Sequence, residues 1–215
     1  MQLMIGCGHV LYSSGDMGVG MLAEEMAKVY GMQIELWVPP NHSRARFNSP
    51  ASVEVLLQGN DAIQQAAYSL GRYIPTHFYT LSLLQRNYHI ARKAKTLFAF
   101  GMLELNRKEL KGGTGWTVKM AMDLGKDVFV FDSATQTWFE VSTDYQTDPV
   151  SRLLQLETKF VPCERKPILH QSSAVIGSKE INQGSRCELR DLFHRTFCTP
   201  QNIEEVKREL TSFQL

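Results

Sequence analysis

Thr96-Leu97-Phe98-Ala99-Phe100-Gly101, then Lys111-Gly112-Gly113-Thr114-Gly115-Trp116-Thr117-Val118-Lys119-Met120-Ala121-Met122-Asp123-Leu124-Gly125, then Asp127-Val128-Phe129-Val130-Phe131-Asp132: an apolar run, a glycine-rich turn opening a helical stretch, and a second apolar run. The two apolar runs read as buried strands. With the helix between them they make one parallel βαβ unit. Glycines at the helix entry let backbone N–H groups approach a ligand closely. The positive end of the helix dipole then favours a phosphate or carboxylate. The stretch points to an α/β fold and to a nucleotide-like ligand.

The same grammar recurs on either side. Val10-Leu11-Tyr12-Ser13-Ser14 reads as a strand, Gly15 to Gly20 as a glycine-rich turn, and Met21 to Tyr30 as an amphipathic helix stopped by Gly31. Ile34 to Val38 is the next strand, closed by Pro39-Pro40. Asn41 to Pro50 is polar and turn-rich and reads as a loop; Asp61 to Tyr73 and Leu81 to Ala94 read as helices. After Asp132, a turn at Ser133 to Gln136 and a strand at Thr137 to Val141 predict an antiparallel hairpin. Asp144 to Pro167 carries three prolines and one candidate helix near Val150 to Glu157. A third strand–turn–helix unit follows: Ser173 to Ile176, then Gly177 to Asn182, then Gly184 to Phe197. Pro200 breaks that helix, and a last one is predicted over Asn202 to Phe213.

The expectation is therefore one domain over the 215 residues: a Rossmann-like α/β fold with a mostly parallel central sheet, helices on both faces and a small β-hairpin extension. The net charge of +1 gives no sign of a duplex-DNA or membrane-surface binder. The local exception is the basic cluster Arg86 to Lys95, which reads as a solvated helix face or as a nucleic-acid contact. Cys7, Cys163, Cys187 and Cys198 form no CxxC pair and have no histidine at zinc-like spacing, so no metal and no cofactor is expected. No run approaches the ~18 apolar residues of a membrane span. A cytoplasmic protein is the expected class.

In a parallel sheet, the turns at the carboxyl ends of the strands gather at the crevice where strand order reverses. Three turns here qualify: Ser14 to Gly18, Gly112 to Thr117, and Gly177 to Glu180. Each is also explicable as a tight turn needing positive φ. Together they resemble the SLOG superfamily, which includes the YpsA-like proteins, the Lonely Guy (LOG) enzymes and the DNA-processing protein A family. Ser13-Ser14-Gly15-Asp16-Met17-Gly18-Val19-Gly20 is similar to its SGGARGAD-type turn. Arg86-Asn87 is similar to its helix-borne Arg-Asn pair, and Gly112-Gly113-Thr114-Gly115 to its signature glycine turn. Ala174-Val175-Ile176-Gly177-Ser178-Lys179-Glu180 is similar to the GIGSRE segment that opens a YpsA-like domain. Here that segment comes last, so the chain resembles the circularly permuted YpsA-like type, with residues 170–200 supplying the first strand, loop and helix. The rival is an unpermuted chain in which this unit adds a strand at the sheet edge.

The resemblance implies ligand contacts from Ser14, Gly15, Asp16, Gly18, Arg86, Asn87, Gly112, Gly113, Thr114, Gly115, Trp116, Thr117, Lys119, Gly177, Ser178, Lys179 and Glu180. Arg44 and Arg46 lie in a loop that could close over a phosphate, because guanidinium grips phosphate bidentately. Trp116 either stacks on a base or packs beneath its turn. LOG-type N-glycosidases continue the glycine turn as GGxGTxxE, and Lys119 stands where that glutamate is expected. An ammonium neither stabilises an oxocarbenium-like centre nor activates water at neutral pH. No catalytic residue is therefore assigned, with Asp16 and Glu180 as the fallback carboxylate pair; Asp16 competes for this as a helix cap. The expected function is non-enzymatic binding of a nucleotide-derived signal, an ADP-ribose-like or cyclic nucleotide molecule, by a sensor, a carrier or a phage-type sponge. The resemblance connects it to defence and counter-defence. The alternatives are a LOG-like phosphoribohydrolase with a rearranged carboxylate, and single-strand DNA binding. Pairing into a homo-oligomer is also implied.

Overall fold

A computed structural model describes residues 8–39, 58–104, 109–147 and 154–200, with 144–147 and 154–157 described in backbone only. The order of elements is β1 (Val10–Ser13), α1 (Val19–Val29), β2 (Gln33–Leu36), α2 (Asn60–Leu70), α3 (Phe78–Lys93) and β3 (Thr96–Gly101). Then come β4 (Leu103–Glu104), β5 (Glu109–Leu110), α4 (Gly112–Asp123), β6 (Asp127–Asp132), β7 (Thr137–Thr147), β8 (Leu154–Pro162), β9 (Ser172–Gly177) and α5 (Gln183–Phe197). Seven strands form one sheet in the order β2-β1-β9-β3-β6-β7-β8, and β4 and β5 pair apart from it as a short antiparallel ribbon.

The first five strands of that order run parallel. β3 and β6 are direct neighbours, Thr96 opposite Asp127 through Gly101 opposite Asp132, as the βαβ unit requires. Their sequences show why both faces are covered. Leu97 and Ala99 face one apolar cluster while Phe98 and Phe100 face another; in β6, Val128 and Val130 share the first and Phe129 and Phe131 the second. Strands buried on both sides lack the polar alternation of a one-faced sheet. The aromatic cluster lies under α1 and α5, with Leu22, Ala23, Leu189, Leu192 and Phe193. The aliphatic one lies under α3 and α4, with Ile90, Ala91, Val118 and Ala121.

The strand carrying the GIGSRE-like segment, β9, is not at the edge. It sits between β1 and β3, where Ala174 pairs with both Tyr12 and Leu97. This corrects the edge-strand alternative. Counting β9 first, the parallel part reads 3-2-1-4-5, the strand order of the dinucleotide-binding doubly wound sheet. The predicted β6–β7 hairpin forms, with its turn at Ser133 to Gln136 and Gln136 at φ 56°. The candidate helix near Val150 to Glu157 is corrected over its described part. Residues 154–157 belong to β8, whose pairing with β7 runs from Leu154 opposite Thr147 to Pro162 opposite Phe139. The alternation of that run, Leu154, Leu156, Thr158, Phe160, satisfies a strand period that its helix formers obscured. The predicted helix over Asn202 to Phe213 and the loop over Asn41 to Pro50 lie outside the described residues. No helix among the described residues is long and apolar enough to cross a membrane.

The hairpin and α5 are locked by one buried carboxylate. Glu188 accepts from Trp138 Nε1 at 2.7 Å and pairs with Lys166 at 2.7 Å and Arg195 at 2.8 Å. Burial alone would raise its pKa. Hydrogen bonds from Lys166 and Trp138, with the charges of Arg195 and Lys166, outweigh that and hold it below the ordinary carboxylate value.

At the amino end of the sheet, His9 rests edge-on against Phe197, ring centroids 5.1 Å apart, and its Nδ1 is buried without a hydrogen-bond partner. Burial, then the neighbouring His170, push its pKa below the usual 6.5. The unfolded chain therefore binds this proton more readily than the folded one. Its contribution favours folding above pH 6.5 and is lost as pH falls through that value toward the lower folded pKa. Urea denaturation between pH 5 and 8 is expected to show this slope in the native chain and to lose part of it in His9→Leu. An unchanged slope in the variant would refute the assignment.

Candidate functional site

The carboxyl ends of β3, β6 and β9 surround a cleft of about 360 Å³. Val19, Phe100, Gly101, Ser133, Ser178, Glu180, Ile181, Asn182 and Ser185 line it. It lies between β9 and β3, the point at which helical connections leave for opposite faces and where doubly wound sheets bind ligands. α5 opens onto it. Asn182 caps that helix by accepting from the Ser185 amide at 2.8 Å, and its own amide donates to Ser133 O at 3.1 Å. Ser185 is 2% exposed yet lines the cleft, so it lies deep in the wall.

Two of the glycine-rich loops meet here. Gly18 has φ 82° and ψ −120°, a conformation open only to glycine, and a Cβ on it would lie 2.3 Å from Lys179 O and 2.5 Å from Ser178 O. A Cβ on Gly177 would lie 2.5 Å from Val19 Cγ2 and 2.6 Å from Phe100 O. The Val19 amide donates to Ser178 O, and the Ser178 amide to Phe100 O. These glycines serve the close approach of the β1 loop, the β9 loop and β3. Ser178 Oγ donates to Glu180 O, which folds the β9 loop so that Glu180 stands at the rim.

Arg86 and Asn87, on α3, reach the β1 loop from the opposite face. Arg86 is 3% exposed. It grips Asp16 bidentately, Nη1 to Oδ1 at 3.0 Å and Nη2 to Oδ2 at 2.8 Å, and Nη1 also donates to Ser14 O. Nε and Nη2 donate to Asn87 Oδ1. All five guanidinium N–H groups are thereby used. The predicted Asp16 cap is corrected: the N-cap of α1 is Gly18, with no side-chain cap, and Asp16 serves Arg86 instead. Beneath the loop, buried Glu24 accepts from Ser13 Oγ at 2.6 Å, and Ser13 Oγ accepts from the Gly15 amide.

The Gly112 turn is placed differently. Gly112, Gly113, Thr114 and Gly115 form the first turn of α4 rather than a loop before it, and none of them lines the cleft. The β4–β5 ribbon stands between β3 and α4 in the chain. Arg72 donates to Gly112 O at 2.9 Å and Leu110 O at 3.0 Å, and pairs with Glu109 at 2.9 Å. A Cβ on Gly115 would lie 2.1 Å from Leu110 O, so this glycine admits the ribbon. Trp116, 7% exposed, packs with Ile63, Ala66, Leu84 and Met120 between α2, α3 and α4, the core alternative to base stacking. Thr117 is buried and donates to Gly113 O. Lys119 pairs with Asp123 one turn on along the same helix. Arg44 and Arg46 lie outside the described residues.

Sequence reasoning missed Ser133, Asn182 and Ser185. Ser133 follows a parallel strand, and Asn182 precedes an amphipathic helix as a cap residue, so both signals were present. Phe100 was assigned to the core; it is 1% exposed and lines the cleft as well. Asp132 ends β6 beside the cleft but is consumed locally. Burial would raise its pKa, but hydrogen bonds from the Leu103 amide, the Thr135 hydroxyl and the Ala134 and Thr135 amides hold it low. No family model, no curated protein and no solved structure matches this chain.

Proposed function

We propose that the chain is a SLOG-like, circularly permuted domain that binds a nucleotide or nucleotide-derived signalling molecule without turning it over, acting as a sensor, a carrier or a sponge. The observation that carries this reading is the cleft between β9 and β3, walled by the glycine-tight junction of two strand–turn–helix loops. The central position of β9 supports the permutation, because closing the chain from α5 to β1 restores the doubly wound connectivity.

Three observations favour binding over hydrolysis. Lys119 replaces the LOG-type glutamate and is engaged by Asp123. Both oxygens of Asp16 accept from Arg86, so Asp16 is an anchor for the loop. Among the described residues that line the cleft, Glu180 is the one with a carboxylate. Most glycosidases work with two carboxylates flanking the scissile bond. The DNA-binding reading loses support as well, since Arg86, the first cation of the basic cluster, is buried and saturated.

The test is mass spectrometry of small molecules released from purified protein, alongside incubation with nucleoside monophosphates. Recovery of an intact nucleotide-type compound and no free base is expected. Base release that disappears in Glu180→Gln would replace the binder by the N-glycosidase.

A further inference from the structure

Three cations beside the glycine-rich turns are engaged by carboxylates of the chain itself: Arg86 by Asp16, Lys119 by Asp123 and Arg72 by Glu109. Among the described residues the cleft lining brings no cation to replace them. The charged residue of the described lining is Glu180, and the remainder is apolar (Val19, Phe100, Ile181), neutral polar (Ser133, Ser178, Asn182, Ser185) or glycine (Gly101). Lys179, next to Glu180 in the loop, is exposed and is not part of the lining. The described lining by itself is poorly made for gripping a phosphate.

We propose that the cleft selects its ligand through a vicinal diol of the ribose type, accepted by the Glu180 carboxylate. This rests on the nucleotide reading above and names the group that the cleft reads. An ionised carboxylate is acceptor-only, with two oxygens that match two adjacent hydroxyl donors, and the hydrogen bonds are charge-assisted. A phosphate at the same place meets like charge. The backbone that carries Glu180 is held at the cleft, because Ser178 Oγ donates to the Glu180 carbonyl, while the Ser178 carbonyl and amide are tied to Val19 and Phe100. Phe100, Val19 and Ile181 offer apolar wall to a base, and Asn182 and Ser185 offer neutral polar partners. The volume of about 360 Å³ lies at the small end of ligand sites, ~300–1,000 Å³, so it suits one nucleoside unit with charged parts projecting from the mouth.

The test is calorimetry on the full chain with the four ribonucleosides, their 2′-deoxy counterparts and the 5′-triphosphates at low and high salt, with D-ribose as a base-free diol probed by saturation-transfer NMR. At least one ribonucleoside is expected to bind about tenfold or more tighter than its 2′-deoxy form, the scale of a hydrogen bond to a charged group. Its triphosphate is expected to bind no tighter, with little salt dependence. Glu180→Gln is expected to abolish the preference for the 2′-hydroxyl. Its thermal melt should match the native one, since the residue is exposed. Equal binding of ribo and deoxy forms overturns the diol inference and leaves the nucleotide reading standing. So does a triphosphate bound far more tightly with a steep salt dependence. Glu180-dependent binding of D-ribose without any nucleoside upholds the diol and overturns the nucleotide reading. Binding of no nucleoside, no triphosphate and no D-ribose overturns both.

Discussion

Replacing Arg86 by Met is expected to lower the unfolding free energy by about 3 kcal/mol, the lower end of the range for breaking a buried ion pair from one side. The substitution removes five hydrogen bonds at once. It leaves Asn87 Oδ1 and Ser14 O in a buried setting without this donor, and takes the guanidinium charge away from the Asp16 carboxylate. The lower end applies because the Asp16 side chain is 24% exposed and regains some water. For a chain of this length the loss corresponds to a fall in Tm of roughly 6–12 °C. Arg86→Lys is expected to recover only part, since one ammonium cannot span the Asp16, Ser14 and Asn87 acceptors together. Asp16→Asn combined with Arg86→Met is expected to cost less than the sum of the two single changes, because both remove the same ion pair. A stability of Arg86→Met within about 0.5 kcal/mol of the native chain, the usual range of inconsequential surface changes, would show the latch to be inert.

Gly18→Ala is expected to cost about 3 kcal/mol or more from two additive causes. A conformation reserved for glycine costs ~1–3 kcal/mol when another residue is forced into it. Overpacking against backbone costs a further ~1–3 kcal/mol, and here the new methyl would meet the Lys179 and Ser178 carbonyls, which cannot swing aside as a side chain tip could. The two loops must separate to admit it, so ligand binding in the cleft is expected to weaken as well. Gly113→Ala is the matched control. Nothing lies within 4 Å of a Cβ there, and the residue is helical. Ala is favoured over Gly in a helix by ~0.5–1 kcal/mol, so this variant is expected to be as stable as the native chain or slightly more so. Denaturation of the pair separates the glycine that a close approach requires from one that only the motif suggests. Similar costs for both would undo the distinction.

Much of the fold was legible along the chain. Buried strands announce themselves as short apolar runs, and β3, β6 and β9 are such runs: Leu97 to Phe100, Val128 to Phe131 and Ala174 to Ile176. Glycines and helix formers between them fix the connections as crossovers, so the βαβ units and the hairpin at Gln136 followed from spacing. The region around β8 was less legible because Leu154 to Glu157 carries good helix formers, and only its pairing with β7 decides in favour of a strand. The two-residue strands β4 and β5 are too short to leave a periodic signal.

The site divided in the same way. That the loops after β1 and β9 belong together was readable from their glycines, and the structure gives those glycines a steric reason. The fate of the cations was not readable. Arg86, Lys119 and Arg72 are paired by Asp16, Asp123 and Glu109; Lys119 and Asp123 are one turn apart on a helix, but for Arg86 and Arg72 the partner comes from a different element, so only the folded arrangement shows that those two charges are spent within the chain. Trp116 is the same case. Its side of α4 was ambiguous until α2 and α3 covered it.

The sequence by itself determined the class of the fold, the parallel units and the turns that can come close to a ligand, because strand and helix periods and glycine's freedom at positive φ are local properties. Only the tertiary structure decided where β9 enters the sheet, because strand order is set by the burial of both faces and by the path of the connections. It alone decided that the Gly112 turn faces the β4–β5 ribbon and Arg72, while the β1 and β9 loops bound the cleft. Charge neutralisation and side-chain burial depend on neighbours distant in the chain, and those neighbours turn a row of apparent phosphate grips into a cleft whose lining charge, among the described residues, is Glu180.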